Sequence, residues 1–137
     1  MSHYFFVSSE DSKEIYPMNS LSDFIVELPK IYDLDGQWEI ALLDVEVRKK
    51  SASMPDMYLF CDLCENSYTL HSELPILRRF TLKSGMRTNL TFQIPYYVRL
   101  SRHIFNRFRI YIKNKAGQSI TVDRSTLYCT LHIRKIT

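Results

Sequence analysis

Only three glycines and one tryptophan occur in 137 residues. The shortage excludes a glycine-rich phosphate loop, and no GxSxG elbow or HExxH helix is present either. The four histidines, His3, His71, His103 and His132, lie far apart, so the clustered histidines of a cupin-type metal site are missing. Acidic residues alternate outward along apolar runs, and no paired catalytic carboxylates stand out. No enzyme, metal or cofactor is expected. Three cysteines, an odd number, argue against a disulfide framework and fit free thiols in a reducing compartment. The longest apolar stretches span a few residues, too short for a membrane helix. "MSHYFFVSSED" has neither a basic leader nor a cleavable apolar core, so a cytosolic or nuclear protein with no membrane partner is expected.

Helix-period runs are also missing; period two dominates. Strands are predicted at Tyr4–Ser8, Phe24–Leu28 (closed by Pro29), Trp38–Val47, Met57–Leu63 and Ile76–Leu82. A sixth runs through Leu90, Phe92 and Ile94 to Pro95 and a "YYVRL" continuation. The seventh alternates Phe108, Ile110 and Ile112 with Arg109, Tyr111 and Lys113. The last turns Leu127, Cys129, Leu131 and Ile133 inward and Tyr128, Thr130, His132 and Arg134 outward. In the third, Trp38, Ile40 and Leu42 share one parity and Leu43, Val45 and Val47 the other, which predicts a bulge. Ser8–Asp23 and Arg48–Asp56 read as loops, and Ser101–Phe105 as a short helical turn. Eight short strands with outward polar residues predict an all-β sandwich of two antiparallel sheets, one domain over 1–137.

Charge divides the chain. Residues 1–75 hold five Lys/Arg and fourteen Asp/Glu; residues 76–137 hold thirteen Lys/Arg and one acid, Asp123. A single jelly roll accounts for this, because its sheets have the strand orders 1-8-3-6 and 2-7-4-5 and every neighbouring pair takes one strand from each half. Opposite charges then meet across strands, with Glu27 beside Arg107 or Arg109 and Glu39 or Glu46 beside Arg134. Each such pair is worth about 0.2–1 kcal/mol and helps select strand order. The competing explanation is a charged face for a partner.

Cys61-Asp62-Leu63-Cys64 is a lone CxxC, with no second ligand pair and no strand-to-helix setting. With Cys61 at an inward parity, buried free thiols are expected; His71 and His132 would complete a site only by chance proximity. The basic and aromatic stretch Tyr96–Arg109 raises DNA or RNA as a weaker candidate partner, with Tyr96, Tyr97 and Tyr111 able to stack bases beside a cationic track.

The stretch His3–Val47 carries a further pattern: Tyr16-Pro17 with Asn19, a strand led by Phe24, Leu28-Pro29, then Leu34-x-Gly36-x-Trp38-Glu39 and Ala41-Leu42. It resembles proteins of polinton (Maverick) elements and the related adintoviruses, namely their small single jelly-roll penton proteins. The resemblance covers about 45 residues, and no catalytic residue carries over. It implies a structural capsid protein in the virion, assembled in host nucleus or cytoplasm. As a homopentamer it would occupy icosahedral vertices beside a double jelly-roll major capsid protein. In this frame Pro29 and Asp35-Gly36 turn the chain from one sheet to the other, and Trp38 is a core anchor locking both. A closed ring needs two complementary faces; the acidic segments Ser8–Asp23 or Asp33–Asp35 would meet the region of Arg99, Arg102, Arg107 and Arg109. Reversing Arg107 and Arg109 to Glu is expected to block assembly without unfolding the monomer. The alternative is a monomeric β-sandwich binding nucleic acid, glycan or a partner protein.

Overall fold

The computed structural model describes residues 2–48, 56–82, 87–119 and 126–137. The strands are β1 (Ser2–Ser8), β2 (Asp23–Asp33), β3 (Trp38–Arg48), β4 (Asp56–Cys61), β5 (Ser67–Thr69), β6 (Ser72–Leu74), β7 (Ile76–Thr81), β8 (Arg87–Thr91), β9 (Val98–Arg99), β10 (Ile104–Asn114) and β11 (Leu127–Lys135). Among the described residues none is helical. One sheet has the order β1-β11-β3-β8, with β9 also on β3; the other has β2-β10-β4-β7. Without β9 and the small β5–β6 hairpin, eight strands remain, in the orders 1-8-3-6 and 2-7-4-5. That is a jelly roll.

Alternation explains the core. Phe108, Ile110 and Ile112 of β10 and Leu127, Cys129, Leu131 and Ile133 of β11 are buried, facing one another between the sheets with Ile40, Leu42, Val45 and Val47 of β3. The parity change in β3 is a bulge: Leu42 pairs with Leu131 and Asp44 with Thr130, leaving Leu43 without an opposite residue. Beyond it the same strand edge changes partner, from β8 at Asp44–Arg48 to β9 at Glu39–Ile40.

Three expectations are corrected. Pro29 does not close the second strand; β2 continues to Asp33. Proline, which lacks an N–H, is tolerated there because β2 is an edge strand, and its pairing with β10 is irregular between Glu27 and Tyr32. Ser101–Phe105 is no helical turn: Ile104 and Phe105 open β10. The sixth strand and its continuation are two separate strands, β8 and β9, parted around Pro95. The Ser8–Asp23 connection is a series of turns, and that at Arg48–Asp56 lies largely outside the described residues.

The charge split follows the strand order. Every neighbouring pair in the two four-stranded sheets joins one strand of residues 1–75 to one of residues 76–137. Glu27 stands opposite Arg107, and Glu39 opposite Arg134, whose Nε lies 2.9 Å from the carboxylate.

Candidate interaction surfaces

Of the arginines expected at a subunit interface, three are engaged within the chain. Arg109 grips the Asp23 carboxylate with both Nε (2.8 Å) and a terminal nitrogen (2.6 Å), which holds its charge more firmly than usual. Arg102 pairs with Asp62 at 3.2 Å. Arg107 reaches the Tyr16 hydroxyl at 3.4 Å, and that hydroxyl donates to Glu27 at 2.6 Å. Asp62 also accepts the Arg109 backbone N–H at 2.9 Å. These contacts fasten β2 and the turn after β4 onto β10. Reversing Arg109 to Glu would therefore set three carboxylates together, so it tests monomer stability as much as assembly. Arg99, in β9, is exposed and forms no ion pair among the described residues.

Asp33 and Asp35 lie at one end of the sandwich, on the rim of an open cavity of about 680 Å³ with His3, Tyr32, Trp38, Lys30 and Lys135. Trp38 is 3% exposed, its indole N–H donates to the Asp35 carbonyl at 2.8 Å, and His3 stacks on it at 5.7 Å. Gly36 makes the turn possible. Its φ of +92° suits glycine, and an added Cβ would stand 2.9 Å from the Lys135 side chain. The Asp-Gly step before the tryptophan thus shapes a turn whose carbonyl satisfies the buried indole.

The three tyrosines do not form one platform. Tyr96 is exposed under the Arg78 guanidinium at 4.3 Å. Tyr97 lies on the other sheet's side, beneath Arg134 at 3.5 Å, with its hydroxyl 2.8 Å from His132 Nδ1. Tyr111 stacks on buried Phe60 at 4.8 Å, between Arg109 and Lys113.

Cys61, Cys64 and Cys129 are free and buried. The hydrogen bond to Cys61, then burial, pushes the Cys64 thiol well above its usual pKa, and burial does the same for Cys129. His71 sits at the β5–β6 turn and His132 on β11; no group of three or more His, Cys, Asp or Glu among the described residues is placed to hold a metal. No helix among them is long and apolar enough to cross a membrane.

Sequence reasoning missed the aromatic outer face of the β1-β11 pair. Tyr4, Phe6 and Tyr128 are 54%, 77% and 50% exposed, and Tyr4 stacks on His132 at 4.4 Å. Period-two alternation held the signal: in β1 both phases are aromatic, so one phase must face solvent.

No family model matches the sequence, and no curated protein does. A solved structure titled "D431N Mutant VP2 Protein of Infectious Bursal Disease Virus; Derived T=1 Particles" is similar at 9% identity and a TM-score of 0.30. The match covers 96% of this chain and 31% of that one, so the chain spans under a third of its length. The jelly-roll assignment rests on the strand order itself.

Proposed function

We propose that this chain is a structural capsid subunit, a penton that forms homopentamers at the vertices of an icosahedral DNA virus or virus-like element, beside a double jelly-roll major capsid protein. The observation that carries the reading is the pair of four-stranded sheets in jelly-roll order, with little beyond the sandwich among the described residues except turns and one hairpin. The resemblance of His3–Val47 to polinton and adintovirus pentons supports the finer assignment. The role is mechanical rather than catalytic. Apolar side chains stand exposed at several places, among them Ile31, Ile94 and Ile104, as a subunit covered by unlike neighbours requires.

Light scattering or native mass spectrometry tests it. A discrete mass of about 80 kDa, five chains of 16.3 kDa, is expected. Arg99→Gln, which breaks no ion pair among the described residues and adds no acid opposite Glu39, is expected to weaken the ring while leaving the monomer's melting unchanged. A monomer at every concentration would instead favour a β-sandwich binding module. The cavity floored by His3, Tyr32 and Trp38 supports that second reading, since aromatic walls with a few polar groups suit a glycan or a partner's side chain.

A further inference from the structure

Among the described residues five strands form the edges of the two sheets: β1 on one side of the first and β8 with the two-residue β9 on its other side, β2 and β7 in the second. A bare edge offers unpaired N–H and C=O groups to any other strand, and folded proteins guard edges with charge, proline, bulges or cover. β2 is guarded in each way. Asn19 takes both the N–H and the C=O of Ile25, at 3.0 and 2.8 Å, and Ser12 Oγ accepts the Glu27 N–H at 2.8 Å. Pro29 has no N–H to offer. β7 carries Arg78 and Arg79 at its centre, and β8 is five residues long and opens with Arg87.

Apart from cover at the Ser8 N–H, β1 has none of these devices among the described residues. Its sequence, SHYFFVS, contains no acid, lysine, arginine or proline, and its register with β11 is unbroken. The Ser9 N–H donates to the Leu127 carbonyl at 2.9 Å, while the Ser8 N–H turns away to the Asp11 carboxylate at 3.0 Å. By the alternation of an antiparallel pair, His3, Phe5 and Val7 direct their backbone groups to β11, and Tyr4 and Phe6 direct theirs to the open side. The same two residues hold the exposed aromatic side chains, with ring centroids 6.4 Å apart.

We propose that β1 pairs antiparallel with β1 of a second copy of this chain, about a two-fold axis at Phe5. Tyr4 then faces Phe6 of the partner subunit, and the reciprocal pair forms on the other side of the axis. The contact is self-complementary, as an isologous interface must be. Charge selects the direction. The Ser8 end leads into Glu10, Asp11, Lys13 and Glu14, whereas the His3 end lies beside Lys30 and Lys135, with Asp33 and Asp35. Antiparallel pairing brings the acidic turn to an end where two lysines balance two aspartates; parallel pairing lays acidic turn on acidic turn, which is unfavourable. This two-fold joins subunits by a surface separate from any five-fold ring and does not depend on the ring.

Residue-resolved amide exchange, measured with the solution mass over a concentration series, tests the pairing. Exchange at Tyr4 and Phe6 should slow about tenfold once nine chains in ten are paired, as mass action gives. His3, Phe5 and Val7, already bonded to β11, should not change. Phe6→Lys should abolish the protection and halve the paired mass while melting like the parent; Phe6→Tyr should keep both. Exchange at Tyr4 and Phe6 that ignores concentration would overturn the proposal, and a fivefold mass persisting beside it would leave the ring reading intact. A twofold mass without any ring would do the reverse. If Phe6→Lys dissolves a fivefold ring instead, β1 belongs to the ring and the two-fold is wrong. A chain that stays unpaired yet takes an added extended peptide on β1 would likewise replace the second copy by a foreign strand.

Discussion

On the outside of the β2-β10-β4-β7 sheet, Asp23, Asp62 and Glu27 meet Arg109, Arg102 and the Tyr16–Arg107 pair, and the Ser8–Asp23 turns lie along its edge. On the outside of the β1-β11-β3 strands, Tyr4, Phe6, Tyr128 and Tyr97 gather around His132. The first sheet spends its surface chemistry on itself. The second keeps large apolar area in water, where self-satisfied polar contacts are few. An outer face closed by local ion pairs has little left to offer a neighbour; one paved with aromatic rings gains by being covered. The first face thus serves the chain's own stability, and the second is left with apolar area that a partner could cover.

Four perturbations sharpen that division. Trp38→Ala truncates a buried core indole and should cost about 3–5 kcal/mol in urea unfolding, with both faces lost in one transition. Asn19→Ala strips the cover from β2 and leaves the Ile25 N–H and C=O without their protein partner. About 1–3 kcal/mol of stability should go, and a soluble chain should become more prone to aggregate through an edge bared at Ile25, with Ser12 and Pro29 still guarding the rest. Arg109→Ala unfastens the charged face. The pair is about half exposed, so the loss should stay below about 1 kcal/mol and shrink further as salt is added, readable as a converging pair of melting curves.

The smallest effect belongs to the aromatic face. Burial, and secondarily Arg134, lower the pKa of His132 below its ordinary 6.5, and Nε2 is buried without a hydrogen-bond partner. The neutral ring, bonded to Tyr97 and stacked on Tyr4, is the folded form. Since the unfolded chain takes up the proton first, this contribution is complete above about pH 6.5 and declines as pH falls toward the folded-state value. Melting temperature followed from pH 8 to pH 5 should fall less steeply in His132→Asn than in the parent; parallel curves would remove His132 from the account.

Much of the sandwich was legible because burial on one side writes itself as period two. The same alternation located the bulge at Leu43, and the split of charge at residue 75 disclosed which strands are neighbours. What escaped had weaker local signatures. The β5–β6 hairpin turns on Leu70 and His71, both at positive φ (50° and 60°), where the usual Asn-Gly marker is absent. Pro29 was misleading because a proline stops a central strand but not an edge strand, and edge position is a property of the whole sheet. The arginines from Arg102 to Arg109 looked free for a partner since their acids, Asp23, Glu27 and Asp62, lie more than thirty-five residues away in sequence. Their closure required β10 to be laid between β2 and β4.

The same insertion has a temporal meaning. β11, the last strand, lies between the first and the third, and β10 between the second and the fourth. As the chain is synthesised, β1 and β2 must wait without any sheet neighbour until β11 and β10 exist, while β4 and β3 have one neighbour each, β7 and then β8, before that. Folding is then governed by contacts between distant residues, which places it among slow, millisecond-to-second folders. Through that interval SHYFFVS stays unpaired on both sides, so the period before β11 arrives is when this protein most needs low local concentration or a chaperone.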